Sequence, residues 1–341
     1  MNENTRLENR PKSTFQGIPT LSICIPTYNR AEYLDKSLHS LTKQKRFYEI
    51  EVVISDNCST DNTEEVVKKY QKQYNNIFYH KNTENIFDKN FPTVLMKAHG
   101  LYRKIFNDNC IYHEDAIVLI FSYIEKYKDC KNKPFIFFLN LGSPNMKTPT
   151  FIGESMSNFA RVVGFRTTWI GGLGLWDEEC ENLKEEFDYC ETKLWQTYKA
   201  YKLVSQKKHY LVSNELLVTV MNTKNRDRAY GLYTVFYKNF LSLLEPYVKS
   251  NELSSHDIYY IRKDMLYHQF ADFVFQIKKT NTVTDYGSEI DYRKKILNEY
   301  KKEKYYPAFL LWYFWKYKIR LFLGKIKHAI KKLFKTKGDK K

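Results

Sequence analysis

Two clusters of polar residues near the start of the chain have the composition and the position of a ligand-binding site. The first is residues 26–30, Pro-Thr-Tyr-Asn-Arg, and the second is residues 56–61, Asp-Asn-Cys-Ser-Thr-Asp. Each follows a short apolar run, residues 21–25 or 51–55, of the kind that forms a buried parallel strand. In an open α/β sheet, ligands bind at the carboxyl ends of such strands. These side chains can supply the few fixed donors and acceptors that orient a polar ligand there.

The elements that must position these clusters form a repeated strand–helix pattern. Strands that alternate with helices pair in parallel through right-handed crossovers, so we predict a Rossmann-like α/β sheet. The predicted strands lie near residues 21–26, 51–55, 76–80, 103–107 and 134–139, and the predicted helices lie near residues 31–44, 61–74, 90–99 and 114–127. Asp61, three residues before Glu64, is the predicted N-cap of the second helix.

Later parts of the chain have a different pattern. Residues 141–175 are rich in Gly, Pro, Ser and Thr, which indicates loops and irregular strand. We predict helix over residues 177–202, a strand pair over 208–220 and a mostly helical region over 230–303.

Composition narrows the protein class. The six cysteines form no CxxC pair and no zinc-type cluster with His, which favours reduced thiols in a cytosolic protein. The N-terminus is polar and has no apolar core of a secretory signal, so we predict a loose leader over residues 1–19. The net charge is +16, and residues 316–341 contribute ten of these charges through eleven Lys and Arg against one acid. Such a basic tail can bind nucleic acid or an anionic membrane.

The order and spacing of the two polar clusters resemble those of the inverting, nucleotide-sugar-dependent glycosyltransferases of family 2. In that family the first strand ends in a Pro-Thr-Tyr-Asn-Arg type sequence and the second in an Asp-(Asp/Asn)-x-Ser-Thr-Asp type sequence. The resemblance covers roughly residues 20–240. It implies the GT-A fold, a Rossmann-like mixed sheet with helices on both faces, here followed by a helical C-terminal region. We therefore expect a GT-A domain over 20–240, a helical extension over 241–304 and a basic amphipathic tail over 305–341.

The resemblance also implies a nucleotide-diphosphate sugar donor, with a UDP-sugar as the first choice. By that resemblance, the nucleotide contacts Pro26, Thr27, Tyr28, Asp56, Asn85, Asp88 and Asn90. The first three would line the base and ribose pocket, Asp56 would accept a hydrogen bond from the base, and the last three match the segment that leads the nucleotide-binding helix. The alternative is that the aspartates cap helices. We favour the cap for Asp61 and the ligand for Asp56.

A divalent metal, Mn²⁺ or Mg²⁺, is a further implication of the resemblance, because the family has an Asp-x-Asp or Asp-Asp-Asp motif at the end of the fourth strand. The aligned residues here are Asp108, Asn109 and Cys110. Such ions need hard oxygen ligands, and a thiol is a poor one. Three interpretations remain open. The first choice is a metal held weakly by Asp108 and Asn109, the second is metal-independent transfer with Lys or Arg balancing the diphosphate, and the third is lost activity.

An inverting transfer needs a carboxylate that deprotonates the acceptor hydroxyl. The family places this base in an acidic loop before a helix, and the chain has many acids over residues 177–191. We choose Glu191 as the base and Asp188 as the second candidate. The alternative is that the acids form a solvated helical face, where acids near a helix start are favoured by the helix dipole.

Two arginines, Arg226 and Arg228, follow the last predicted strand. Related family members carry an Arg- or His-containing loop there, near the diphosphate, so either guanidinium could neutralise the leaving group. An ordinary basic surface loop is the equally weighted alternative.

The predicted tail has an apolar stripe at helical spacing. Its members are Leu311, Trp315, Ile319, Phe322, Ile326, Ile330 and Leu333. The uncharged apolar run 305–315 is too short to span a bilayer, and a stripe of this kind opposite lysines is typical of a helix in the membrane interface. The alternative is a core-packed helix followed by a free basic tail. We favour the membrane surface, because many family members act on lipid-linked acceptors.

The sequence thus predicts an inverting glycosyltransferase that moves a sugar onto a hydroxyl of a surface glycan or lipid-linked acceptor. We expect it in the cytoplasm, bound peripherally to the anionic inner face of the cell membrane, without a nucleic-acid partner. The alternative is a catalytically weakened protein that binds nucleotide or glycan without efficient transfer.

Overall fold

The structure is a computed structural model that describes residues 17–143, 146–222, 230–271 and 291–316, together with Ile319 and Phe322. Residues 1–16 of the predicted leader and residues 323–341 of the predicted tail lie outside the described residues, and so do Arg226 and Arg228. No helix in the described ranges is both long enough and apolar enough to cross a membrane.

The central sheet has five strands, β1 (Leu21–Thr27), β2 (Ile50–Asp56), β3 (Ile77–Lys81), β4 (Tyr102–Ile105) and β8 (Gly174–Trp176). Their order across the sheet is β3-β2-β1-β4-β8. The first four are parallel, and β8 runs antiparallel to β4. The prediction of a Rossmann-like mixed sheet is therefore confirmed. The carboxyl ends of β1 and β2 lie side by side, with Thr27 in register with Asp56.

Helices cover both faces of this sheet, because successive residues of each strand point to opposite faces. Ile23 and Ile25 of β1 belong to one apolar core with Leu34 and Leu38, while Cys24 belongs to a second core on the other face. The α-helices are α1 (Ala31–Leu41), α2 (Thr63–Gln71), α3 (Asn90–Lys97), α4 (Ala116–Tyr127), α5 (Met156–Val162), α6 (Trp195–Lys207), α7 (Phe240–Lys249), α8 (Ser255–Asp264) and α9 (Tyr292–Tyr300). The first four match the predicted helices closely.

Two smaller sheets extend the domain. One contains β6 (Phe135–Phe138), β9 (Tyr210–Ser213) and β7 (Thr150–Gly153) in that order, and the other pairs β5 (Cys110–Tyr112) with β10 (Val218–Val220). The sequence placed two strands correctly within residues 208–220 but was wrong to pair them with each other. They belong to different sheets, because β9 pairs with β6 and β7 while β10 reaches back to β5.

The predicted helix over residues 177–202 is wrong in its first half. Residues Asp177–Cys180 and Leu183–Thr192 form 3-10 turns, and α6 begins only at Trp195. Asn182 and Lys193 adopt left-handed backbone conformations, with φ of 57° and 60°, which interrupt any continuous helix. The acids that suggested a helical face instead include Glu186, which is buried against lysines of α6.

The C-terminal part is mostly helical where it is described, as predicted. It contains α7, α8, α9, two π-helical turns over Thr234–Asn239 and Met265–Phe270, and a helical segment over 306–316 that we call the C-terminal helix. The Asp257 carboxylate of α8 joins this part to α5, since it accepts hydrogen bonds from Ser157 Oγ at 2.6 Å and Arg161 Nε at 2.9 Å.

Candidate active site

A cleft of about 630 Å³ lies at the carboxyl ends of the parallel strands. Seven of the predicted site residues line it: Pro26, Thr27, Tyr28, Asn85, Asp88, Asn90 and Asp108. The opposite wall includes residues 168–170 and Lys193, Gln196 and Tyr230. The structure thus brings together most of the donor-side residues that the sequence singled out, although they come from three separate segments.

The loops after β1 and β2 are fastened to each other. Asn29 Oδ1 accepts a hydrogen bond of 2.8 Å from the Thr60 amide. Asp61 accepts hydrogen bonds from the first amides of two helices, Ala31 N at 3.0 Å and Thr63 N at 3.1 Å. A carboxylate at two helix N-termini satisfies free amides and complements both helix dipoles. Asp61 therefore acts as a cap that fixes the loop presenting residues 26–30 to the cleft.

Asp56 does not line the cleft, although it lies beside it. Its side chain is completely buried, and both oxygens have partners: the Ser59 amide at 2.9 Å and the Tyr79 hydroxyl at 2.5 Å. Burial and the Asp56 carboxylate together raise the pKa of Tyr79, so this hydroxyl stays a donor. The next residue, Asn57, lines the cleft instead. The role of Asp56 as a reader of the base stays a prediction.

A network of side-chain amides shapes the donor side of the cleft. Asn57 donates to Asn85 Oδ1 at 2.7 Å and accepts from the Ile86 amide at 2.8 Å. Asn90 is almost fully buried and bonds both the hydroxyl and the carbonyl of Ser55. The network holds Phe87 with a φ of 50°, which is unusual for a bulky residue, and its ring is 70% exposed at the cleft.

Asp88 and Tyr230 connect the two sides of the cleft. The Tyr230 hydroxyl donates a hydrogen bond of 2.6 Å to Asp88 Oδ1. The ammonium of Lys193 lies 5.4 Å from the centre of the Tyr230 ring, within range of a cation–π contact. Sequence reasoning missed Tyr230 and Lys193, since nothing local marks either residue as part of a site.

Asp108 lies in the turn between β4 and β5, at the floor of the cleft. Its Oδ2 accepts from Thr27 Oγ1 at 2.9 Å, and its Oδ1 forms an ion pair with Arg30 Nη1 at 3.2 Å. Burial raises the pKa of this carboxyl, and the nearby Arg30 charge opposes that rise. Arg30 is therefore the nearest cation to the one carboxylate left in the metal motif.

The other two positions of the metal motif contribute little to the cleft. Asn109 does not line it, and its Nδ2 donates to the Met221 carbonyl at 2.9 Å. Cys110 is buried in β5, where burial raises the pKa of its thiol to about 12. Across the described part of the chain, no group of three or more His, Cys, Asp and Glu could hold a metal ion. A divalent ion would thus have Asp108 as its single cleft carboxylate from this motif.

Neither predicted base lines the cleft. Glu191 and Asp188 are both exposed, and both lie in the 3-10 turn over Leu183–Thr192 rather than at a helix start. Glu186, from the same turn, is buried and accepts from Lys199 at 3.0 Å and Lys202 at 2.8 Å, which makes it a structural carboxylate.

A buried lysine supports the wall opposite the donor side. Lys104 of β4 is fully buried and donates to the carbonyls of Gly171 and Leu173, the latter at 3.1 Å. Burial lowers the pKa of this amine to about 7. Residues Trp169 and Ile170, which line the cleft, directly precede this anchored segment.

Comparisons with known proteins agree with this architecture. Residues 22–141 match the family model described as "Glycosyl transferase family 2". An abequosyltransferase of Salmonella typhimurium is 39% identical over 112 residues, which are 32% of this chain and 34% of that protein. The chain therefore spans only about a third of the length of that relative. A GalNAc(5)-diNAcBac-PP-undecaprenol beta-1,3-glucosyltransferase of Campylobacter jejuni is 24% identical over 296 residues, 77% of this chain and 84% of that protein.

The fold is also similar to a solved structure. The crystal structure of residues 1–349 of TarS from S. aureus, in complex with UDP-GlcNAc, superposes with a TM-score of 0.52 and 18% identity, covering 76% of each chain. At this identity the likeness shows the fold alone. Taken with the strand-end motifs and the match of residues 22–141 to the family model, it shows that the chain contains a family 2 glycosyltransferase region and has the GT-A fold.

Proposed function

We propose that this protein transfers a sugar from a nucleotide-diphosphate donor to an acceptor hydroxyl, with inversion at the anomeric carbon. The observation that carries the proposal is the cleft of about 630 Å³ at the strand ends, lined by residues 26–30, Asn85, Asp88 and Asp108. Its volume is in the usual range for a small-molecule site, which is about 300–1,000 Å³. Residues 26–30, which carry the first family motif, line this cleft and support the proposal.

A UDP-sugar is the first choice of donor. The solved neighbour holds UDP-GlcNAc, and the cleft here offers the surfaces that a nucleotide needs. Tyr28 is 39% exposed and Phe87 is 70% exposed, so two aromatic faces at the cleft are available to a base or a sugar ring. Aromatic faces stack on such rings, while the amides of Asn57 and Asn85 can orient the polar edges.

In the proposed reaction, a carboxylate accepts the proton of the acceptor hydroxyl as its oxygen attacks the anomeric carbon. The bond from that carbon to the diphosphate oxygen breaks, and the nucleoside diphosphate leaves with the bonding electrons. Glu191 remains our first choice for this base and Asp188 our second. Glu191 is two residues before Lys193, which lines the cleft, so the turn that carries it lies beside the site.

The acceptor is proposed to be a surface glycan or a lipid-linked glycan. The Campylobacter relative has an undecaprenol-linked acceptor in its name. The C-terminal helix provides a second argument, because it is apolar on two faces. Phe309 and Tyr313 are buried, whereas Leu311 and Trp315 on the other face are 63% and 62% exposed.

Ile319 and Phe322 continue this exposed face and are 50% and 65% exposed. The sequence that follows is strongly basic. An exposed apolar face beside lysines and arginines fits the interface of an anionic bilayer. The protein would then work in the cytoplasm at the inner face of the membrane, where a lipid-linked acceptor is presented, and nucleic acid would not be its partner.

A transfer assay tests the proposal. The protein would be incubated with a panel of UDP-, GDP-, TDP- and CDP-sugars and with undecaprenyl-diphosphate glycans, and the product linkage would be determined by NMR. A product with inverted anomeric configuration is expected. Nucleotide binding without transfer or donor hydrolysis, under all donors and acceptors, would favour a binding protein that keeps the fold, and a retained configuration would contradict the mechanism.

A further inference from the structure

We infer that Arg30, fixed by Asp108 and assisted by Lys193, balances the charge of the donor diphosphate in place of a divalent ion. The inference rests on the proposed function and names the groups that act at its leaving group. Among the described residues that line the cleft, the cationic side chains are those of Arg30 and Lys193. They lie on the donor-side loop after β1 and on the turn before α6.

The Asp108 carboxylate already contacts two neighbouring side chains, Thr27 and Arg30. A metal-binding carboxylate must offer oxygen lone pairs to the ion, and each oxygen here already uses one of its lone pairs to accept a hydrogen bond. Thr27 Oγ1 lies 2.9 Å from one oxygen, and Arg30 Nη1 lies 3.2 Å from the other. An ion at Asp108 would have to compete with the guanidinium for the same negative charge.

The other two residues of the metal motif, Asn109 and Cys110, offer a divalent ion few oxygen ligands. Mg²⁺ and Mn²⁺ prefer several hard oxygen ligands in a near-octahedral arrangement. Asn109 is fastened through Nδ2 to the Met221 carbonyl and does not line the cleft. Its Oδ1 atom is buried without a hydrogen-bond partner in the described structure, so it is the further oxygen of this motif that an ion beside Asp108 could recruit. Cys110 is a buried thiol.

The Arg30 guanidinium pairs with Asp108 through one nitrogen and is partly exposed. Its side chain is 28% exposed, and Nη1 makes its hydrogen bond to Asp108. The other guanidinium nitrogens, Nη2 and Nε, form no hydrogen bond with the described residues and remain available to a ligand in the cleft. A guanidinium donates two parallel hydrogen bonds to phosphate oxygens and keeps its charge at any physiological pH. Asp108 then acts as a positioning residue that orients this fork.

The chemistry needs such a cation where the leaving group forms. As the anomeric carbon–oxygen bond breaks, negative charge grows on the diphosphate, and a preorganised cation stabilises it. Lys193 can contribute a second positive charge from the opposite wall, where its ammonium lies over the Tyr230 ring. The pair supplies two positive charges, which equals the charge of one divalent ion.

Calorimetry of nucleoside-diphosphate binding tests this inference without relying on turnover. Wild-type protein would be titrated with UDP, GDP, TDP and CDP, first in EDTA and then in Mn²⁺, and the tightest nucleotide would be compared with its nucleoside. We expect almost the same affinity in both buffers. Arg30→Gln should weaken diphosphate binding by about ten- to a hundredfold and leave nucleoside binding unchanged, since only the phosphate contact is lost.

Two further variants separate charge from geometry. Arg30→Lys keeps the charge without the fork and should lie between wild type and Arg30→Gln. Lys36→Gln, which removes an exposed charge from α1 outside the cleft, is the matched control and should bind as wild type. The inference is overturned if EDTA abolishes diphosphate binding, Mn²⁺ restores it, and Arg30→Gln behaves as Lys36→Gln. Absence of any nucleotide binding in either buffer would instead contradict the proposed function itself.

Discussion

The hydroxyl of Tyr230 donates a hydrogen bond of 2.6 Å to the Asp88 carboxylate, and this bond joins segments 142 residues apart in the chain. It ties the loop before α3 to the start of the C-terminal helical part. Both residues line the cleft, so the bond fixes its width at that point. The Tyr230 phenol is therefore one of the links between the donor loop and the wall that carries Lys193.

Removing that hydroxyl should loosen donor binding. We predict that Tyr230→Phe weakens nucleotide-sugar affinity by about tenfold, which corresponds to the loss of one hydrogen bond to a charged group at the low end of its usual value. Fluorescence titration measures it. Tyr233→Phe is the matched control, because Tyr233 donates to Glu299 at 2.6 Å but does not line the cleft. Equal affinities for the two variants would remove Tyr230 from the site.

The proposed base can be separated from the donor site by kinetics. Glu191→Gln keeps the shape of the side chain but cannot accept a proton, so we predict a fall in kcat of about a hundredfold or more with an unchanged donor affinity. Asp188→Asn should be nearly wild type. If Asp188→Asn is inactive while Glu191→Gln turns over normally, the base is Asp188. If both variants turn over normally, the base lies elsewhere, and Asp88 would be the next carboxylate to replace.

The exposed face of the C-terminal helix should decide membrane binding. Deleting residues 305–341 would also remove Phe309 and Tyr313 from the core and would therefore affect stability as well as membrane binding. Substituting both Leu311 and Trp315 by Gln changes only the exposed face. We predict that this double variant floats far less with phosphatidylglycerol-rich vesicles and keeps its thermal stability. Wild-type binding should fall with salt, because lysines near an acidic surface each contribute about 1 kcal/mol. An equal floated fraction for both proteins would show that this face does not bind the bilayer.

Stability in acid should report on the junction between α5 and α8. Burial alone would raise the pKa of Asp257, but hydrogen bonds from Ser157, Ser254 and Arg161 lower it to about 2. A carboxyl whose pKa is lower in the folded state than in the unfolded state stabilises the fold at any pH above its unfolded-state pKa. That stabilisation is lost as the pH falls towards the folded-state pKa. Asp257→Asn should therefore cost roughly 2 kcal/mol near pH 7 and progressively less from pH 4 downwards.

Urea unfolding of both proteins between pH 7 and pH 3 measures this difference. Asp115→Asn is the control, because that carboxylate is 65% exposed on the surface. A difference between wild type and Asp257→Asn that stays constant over the whole range would contradict the assigned pKa.

The strand-end site was predictable because its signals are local. Apolar runs that end in polar clusters define β1 and β2, and parallel pairing alone brings residues 26–30 and 56–57 to the same edge. Helix periodicity placed α1 to α4 for the same reason. The contacts of Asp56 were not predictable in this way, since Tyr79, its partner, comes from the neighbouring strand β3.

The opposite wall could not be predicted, because its contacts join distant parts of the chain. The acid run before α6 has a helical pattern in sequence. In the structure, however, Glu186 pairs with Lys199 and Lys202, and the left-handed conformation of Lys193 interrupts the helical backbone. Arg30 and Asp108 are 78 residues apart in the chain, and their contact pairs the carboxylate of the metal motif with a guanidinium. Single-sequence patterns carry no information about such pairs.

A crystal structure of the protein with its tightest-binding nucleotide sugar would test the central claim most directly. We predict that the nucleotide lies in the cleft between Tyr28 and Asn85, with Arg30 within hydrogen-bond distance of the diphosphate and the sugar directed towards Lys193 and Gln196. A nucleotide sugar bound elsewhere on the protein, with the cleft occupied only by solvent, would contradict it.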